Sequence, residues 1–214
     1  RVLSLRSVVG FNIGADHSEY TRLNSDLHAG GQLALRLSSN VNLLGEAQLG
    51  YEFTSRYKGY RSHRLQPQVQ LGVEYNVQRS SRNKDLDEAP SHRNYVFLSV
   101  GTGVYTGNMG DGGSIDRRLT LPTDIGYGHW FSSLSGIQVA LGNTLVPSPH
   151  LGSKTITALR ADYMMNLKSA VTGESSDDEL VQLTGMLGAQ VAVSTKEHRT
   201  PNYAPGLHAA MQAG

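Results

Sequence analysis

Polar and apolar side chains alternate along long stretches of this chain. In residues 64–77 every second side chain is aliphatic or aromatic, and the side chains between them are mostly amides and carboxylates. The same period of two runs through residues 28–53. Because successive side chains of a β-strand point to opposite faces of the sheet, this pattern predicts strands with one apolar and one polar face.

Repeating this assignment along the chain predicts an all-β protein with at least ten strands and almost no helix. The predicted strands are 4–15, 28–37, 41–53, 65–77, 95–105, 119–131, 136–146, 155–167, 181–194 and 204–213. Counting along the strands puts the short turns 38–40 and 132–135 at one end of the sheet and most long polar connections at the other. Two connections, 78–94 and 169–179, are long but fall on the short-turn side, where we expect them to serve as docking elements.

Alternation alone does not decide whether the apolar face is buried in a protein core or faces lipid. A soluble sandwich or ligand-binding calyx would bury the apolar face, whereas a membrane barrel would turn it to lipid and keep the polar face in its lumen. Charged residues make up only 17% of the chain, against roughly 25% in soluble domains. The predicted strands are also long enough to span a bilayer, which takes about 9–11 residues. We therefore predict an antiparallel up-and-down transmembrane β-barrel with short periplasmic turns and long external loops.

In such a barrel, charged side chains of the polar face are enclosed in the lumen, where unpaired charge is costly. We expect them to form a network of ion pairs and hydrogen bonds that fills the lumen, and the alternative is a polar pore that selects solutes by charge. The predicted network consists of Arg36, Glu46, Glu52, Glu74, Asp124, Arg160 and Asp162.

Aromatic residues near strand ends suit the two interfaces of a membrane, where rings form girdles. The predicted girdle consists of Tyr51, Phe53, Tyr75, Tyr127, Trp130 and Tyr163. A basic loop with interleaved tyrosines offers a contact for lipopolysaccharide phosphates. Its cationic members are Arg56, Lys58, Arg61 and Arg64.

Candidate chemistry beyond this is sparse. The chain has no cysteine, and its eight histidines show no spacing typical of a metal site, so we predict no metal and no cofactor. The formal net charge of +1 gives no reason to expect nucleic acid. Candidates for a hydrolase or acyltransferase at the external rim are limited to Asp16–His17 and His63, and we predict no enzymatic activity.

Several segments have the form of a known family. HAGGQLALRLSSNVNLLGEAQLGYEF, LPTDIGYGHWFSSLSGIQVALG and TALRADYMMNLKSAVTG resemble OmpA-like outer-membrane β-barrel proteins of the Bacteroidetes type. The resemblance implies an envelope protein of Gram-negative bacteria and implies no reaction. The peptidoglycan-binding domain that often follows the barrel in this family has no counterpart in this sequence.

We treat residues 1–214 as one barrel domain. Residues 8–35 and 183–214 form a weak repeat, each with Leu-His-Ala after a polar loop. The repeat suggests an incomplete C-terminal end, in which case a full barrel would have about fourteen strands. We predict an outer-membrane protein with a structural or accessory role, in contact with lipid, lipopolysaccharide and other outer-membrane proteins, and the alternative is a narrow solute channel.

Overall fold

The fold comes from a computed structural model that describes residues 3–17, 21–55, 61–77, 94–108, 115–132, 134–147, 153–167, 183–196 and 202–213. These residues form ten strands. The strands are β1 (Leu3–His17), β2 (Thr21–Arg36), β3 (Val41–Ser55), β4 (Arg61–Val77), β5 (Asn94–Asn108), β6 (Ile115–Trp130), β7 (Ser135–Val146), β8 (Lys154–Asn166), β9 (Leu183–Lys196) and β10 (Asn202–Ala213). Each matches a predicted strand, and several extend further into the long-loop end than the alternation indicated.

Each strand pairs antiparallel with its neighbours in sequence, and β1 pairs with β10, so the sheet is a closed barrel. The predicted fold class is therefore confirmed. The ten described strands close on themselves, and the expectation of about fourteen strands in a longer chain stays a prediction. The seam between β1 and β10 runs from Ser7 opposite Ala213 to Gly14 opposite Gly206.

The register winds around the barrel. A path of directly paired residues starts at Leu3, crosses all ten strands to Pro205, and returns to β1 about twelve residues further along. A shear of that size with ten strands corresponds to a strand tilt of about 40°. Every member of the path is apolar: Leu3, Leu35, Leu43, Val73, Leu98, Ile125, Leu141, Leu159, Val191 and Pro205.

The outer surface of the barrel carries the aliphatic side chains. Leu71 at the middle of β4 and Leu187 on β9 are 65% and 66% exposed, respectively. On β1 the outward apolar positions run from Leu3 to Ile13, which at about 3.3 Å per residue and the tilt above gives a band about 25 Å tall. That height matches the hydrocarbon layer that outer-membrane barrels cross.

Both tight turns lie at the same end of the barrel, as predicted. In one, the Ser38 hydroxyl accepts from the backbone N–H groups of Asn40 and Val41, at 3.3 and 3.1 Å. In the other, the Ser132 hydroxyl accepts from the N–H groups of Leu134 and Ser135, both at 3.2 Å. A serine hydroxyl that accepts from two backbone N–H groups stabilises a tight turn of only a few residues. We call this the tight-turn end and the opposite one the long-loop end.

The predicted docking connections lie outside the described residues, apart from Asn94 at the start of β5. No helix among the described residues is long and apolar enough to cross a membrane.

Candidate functional site

A polar cavity of about 750 Å³ lies in the lumen. Among its lining residues, carboxylates outnumber guanidinium groups. The carboxylates are Asp26, Glu46, Glu52, Glu74 and Asp124, and the guanidinium groups belong to Arg6 and Arg160. The cavity lining therefore has a formal excess of acidic groups.

A chain of charged and amide groups crosses the lumen near the tight-turn end. Arg6 of β1 contacts Glu74 of β4 at 3.4 Å. In the barrel wall, β2 and β3 lie between these two strands. The same guanidinium donates to Gln32 at 3.2 Å, and Asn42 donates to Glu74 at 2.8 Å. Gln32 in turn donates to Glu46 at 3.2 Å. We call these five residues the polar brace.

Further amide contacts extend the polar brace along β3 and β4. Gln48 donates to Glu46 and Gln68 donates to Gln48, both at 2.6 Å. Nearer the long-loop end, Gln66 donates to Glu52 at 3.0 Å. Hydrogen-bonded amides therefore satisfy the carboxylates on this side of the lumen, which is what a buried acid needs.

Two aromatic rings of β5 also lie inside the barrel. Tyr95 donates its hydroxyl proton to Gln138 at 2.7 Å, and its oxygen lies 3.5 Å from the Met164 sulfur. Its ring occupies the space where a Cβ of Gly128 would stand, and the ring of Phe97 does the same at Gly126. The two glycines of β6 thus make room for rings that lie over that strand.

A second polar cluster lies on β8, β10 and β2. Asp162 of β8 is fully buried, with its Oδ2 2.8 Å from Arg160 Nε and its Oδ1 2.8 Å from His208 Nδ1. The His208 ring is nearly parallel to that of His28 on β2, with the centroids 5.8 Å apart. His28 Nδ1 lies 3.3 Å from Asp26, so each histidine has a carboxylate on the same ring nitrogen.

The structure brings most of the predicted lumen residues into these contacts, but not all of them in the predicted way. Glu46 and Glu74 belong to the polar brace, Glu52 bonds with Gln66, and Arg160 pairs with Asp162. Asp124 lines the cavity on β6, with its carboxylate next to Gly142. The predicted lumen residues in these contacts come from β3, β4, β6 and β8.

The prediction that Arg36 belongs to the lumen network is wrong. Arg36 is exposed at the end of β2, and its Nε donates to the carbonyl of Ser38 at 3.2 Å. Its position at the start of a tight turn puts it at the rim, where the turn backbone is a nearer partner than any lumen carboxylate. Arg6, which the sequence assignment omitted, supplies the cation instead.

The girdle assignments divide in three. Tyr75, Tyr127 and Tyr163 face outward near the tight-turn end, and Tyr51 faces outward nearer the long-loop end. The side chain of Phe53 lies outside the described part of the structure. The prediction that Trp130 belongs to the girdle is wrong. Trp130 lines the cavity, because it lies on the same inward face of β6 as Asp124.

The basic loop cannot be judged from the described residues. Arg56 and Lys58 lie outside them, and Arg61 and Arg64 begin β4 at the long-loop end with undescribed side chains. The rim candidates His17 and His63 have undescribed side chains as well. Among the side chains that are described, no three from His, Asp and Glu residues converge as a metal centre built from those groups requires.

The sequence assignment missed the histidine pair because His28 and His208 are at opposite ends of the chain. Closure of the barrel puts them on either side of β1. One signal could have found them: Leu-His-Ala occurs at 27–29 and again at 207–209, in the two strands that flank β1.

No protein-family model and no curated protein matches the chain. Among solved structures it resembles the transport unit of the autotransporter AIDA-I from Escherichia coli at 12% identity and a TM-score of 0.50, over 100% of this chain and 89% of that one. It also resembles the translocator domain of the autotransporter NalP from Neisseria meningitidis at 9% identity and a TM-score of 0.50, over 98% of this chain and 87% of that one. Identities this low show the fold alone. With its apolar outer surface and polar lumen, the protein is a β-barrel of the bacterial outer membrane.

Proposed function

We propose that this protein is a closed-lumen barrel with a structural or accessory role in the outer membrane. The observation that carries the proposal is the Arg6–Glu74 ion pair, which spans the lumen between β1 and β4. A side chain that crosses a narrow barrel obstructs passage through it, and barrels of this size have interiors that are filled or narrow.

Packing on the other side of the lumen supports the same role. Tyr95 reaches from β5 to Gln138 on β7 and to Met164 on β8. Together with the polar brace it connects strands that are not neighbours in the wall. Such contacts stiffen a barrel, which suits envelope integrity or service as a subunit of a larger outer-membrane complex.

Conductance across planar lipid bilayers tests the proposal directly. We expect the purified wild-type barrel to give no discrete current steps. The double variant Glu74→Ala with Tyr95→Ala removes a crossing group from each side and should give steps of measurable size. Leu98→Ala is the matched control, because Leu98 faces lipid on β5 and should leave the lumen closed.

A narrow solute channel is the second candidate, favoured by the polar cavity of about 750 Å³. Discrete steps from the wild-type protein would contradict the closed-lumen proposal and support this one. The excess of carboxylates in the cavity predicts that such a channel would prefer cations. Reversal potentials in a salt gradient would measure that preference.

Family and partners are proposed on the sequence. The segments quoted above support an OmpA-like barrel of the Bacteroidetes type. The cationic residues Arg56, Lys58, Arg61 and Arg64 support contact with lipopolysaccharide, and the long connections 78–94 and 169–179 support docking of other envelope proteins. We propose no enzymatic activity. Loss of lipopolysaccharide co-purification when these four residues are changed to serine would test the contact.

A further inference from the structure

The histidine pair His28 and His208 lies on one wall of the lumen, on the two strands that flank β1. Asn12 of β1 stands between them, directly opposite His208 on one side and Asp26 on the other. The His28 ring lies over Gly10 of β1, at a place where any Cβ would clash with it. Because Gly10 has no side chain, the ring can extend toward β10. Side chains from three neighbouring strands therefore lie next to one another on this wall.

Each ring is oriented by a carboxylate at Nδ1. Asp162 lies 2.8 Å from His208 Nδ1, and Asp26 lies 3.3 Å from His28 Nδ1. A carboxylate at this nitrogen holds the ring proton there and leaves a lone pair on Nε2. Histidines that bind metals through Nε2 are commonly held in this way.

Within the described part of the chain, two acceptor atoms at this point are buried with no hydrogen-bond partner. They are His208 Nε2, on a side chain that is 2% exposed, and Asn12 Oδ1. The amide nitrogen of Asn12 donates to Asp26 at 2.8 Å, so its oxygen faces the other way. Unpartnered buried acceptors carry a desolvation cost, and a cation bound between them would remove it.

The separation of the two ring centroids lies in the range that one shared metal ion allows when the two nearly parallel rings lie in a common plane. An ion about 2.1 Å from two Nε2 atoms sets the ring centroids about 5 to 6.4 Å apart, as the N–metal–N angle opens from tetrahedral to linear. The observed separation is 5.8 Å. Both carboxylates are engaged at Nδ1, so the ligand set has only two groups from His, Asp and Glu, and the third ligand is an amide oxygen.

We propose that His28 Nε2, His208 Nε2 and Asn12 Oδ1 bind a divalent first-row transition metal ion of the Zn²⁺ class. Imidazole nitrogens select such ions over Ca²⁺ and Mg²⁺, which prefer oxygen ligands. Three protein ligands leave a fourth coordination position for a water molecule. The acidic cavity raises the local concentration of cations beside it.

Titration calorimetry with ZnCl₂ on the full, tag-free barrel in detergent tests the site. We expect one Zn²⁺ per barrel, with affinity at least about tenfold lower in His28→Gln and in His208→Gln. His129→Gln is the matched control, because His129 lies at the tight-turn end beside Asn94, and its affinity should be unchanged. Each variant should keep the mobility shift on boiling that marks a folded barrel.

Electron paramagnetic resonance with Cu²⁺ as the probe distinguishes ligation from a merely structural effect. The wild-type spectrum should show coupling to two nitrogens, and each single His→Gln variant should show coupling to one. Asp162→Asn should keep two nitrogens and lower the affinity, because Asp162 only positions His208. No saturable Zn²⁺ binding, or binding that persists in the His28→Gln, His208→Gln double variant, would overturn the proposal.

Discussion

Gly126 and Gly128 determine what the lumen contains at the tight-turn end. Each leaves the space that a Cβ would fill, and the rings of Phe97 and Tyr95 occupy it. A glycine opposite an aromatic residue on the next strand is a known way to pack a ring flat against a sheet. The two glycines are therefore needed for close approach and not for an unusual backbone conformation.

A single added methyl group should disturb this packing. We expect Gly128→Ala to lower the free energy of unfolding by about 1–3 kcal/mol, the usual cost of overpacking. The temperature at which the folded form disappears on a gel measures the effect. Gly50→Ala is the control: Gly50 also faces the lumen, but a Cβ there would stand 3.6 Å from Gln66, an ordinary contact. An equal loss in both variants would contradict this account.

The aromatic residues of β5 and β6 show which side-chain orientations were not predicted from the sequence. The phase of β6 was visible, and following it would have turned Trp130 inward with Asp124. Instead its position near a strand end suggested the girdle. Tyr95 and Phe97 share the inward phase of Ser99 on β5, but alternation within β5 does not show the glycines of the neighbouring strand that make room for the rings. The polar faces of β2, β3 and β4 were assigned correctly because their amides and acids recur without interruption.

The strands themselves were the most predictable level. A period of two identifies a strand and both its faces, and all ten strands lie where that period placed them. Their ends at the long-loop side were less predictable, because alternation weakens once strands pass beyond the membrane. β4, for example, begins at Arg61 and not at residue 65.

A charge on the lipid face should cost more at mid-strand than at its end. Leu71 lies at the middle of the outward row of β4 and Leu65 near its long-loop end. We expect Leu71→Arg to lower the free energy of unfolding in lipid by about 2–4 kcal/mol and Leu65→Arg by about 0–1 kcal/mol. Urea titrations of protein folded into vesicles measure both. Equal, small costs at both positions would mean that this face meets water.

At the scale of the whole molecule, the two ends of the barrel are distinguished by their connections. Ser39 is exposed in a tight turn, and Ser153 is exposed next to β8 at the opposite end. Outer-membrane barrels keep short turns in the periplasm. The structure therefore implies a single orientation in the membrane.

The absence of cysteine makes this orientation testable by labelling. We expect Ser153→Cys to react with a membrane-impermeant maleimide on intact cells. Ser39→Cys should react only after the outer membrane is opened. The chain without either substitution is the control for background labelling. Reaction of Ser39→Cys on intact cells would reverse the orientation.

The seam between β1 and β10 has a consequence for how the chain is made. Its two sides are the first and last of the ten strands, so the hydrogen bonds of the seam join residues almost a full chain length apart. Until β10 has been synthesised, β1 has an open edge that a bilayer cannot satisfy. The chain should therefore complete its insertion into the membrane only when β10 is available to close the barrel against β1.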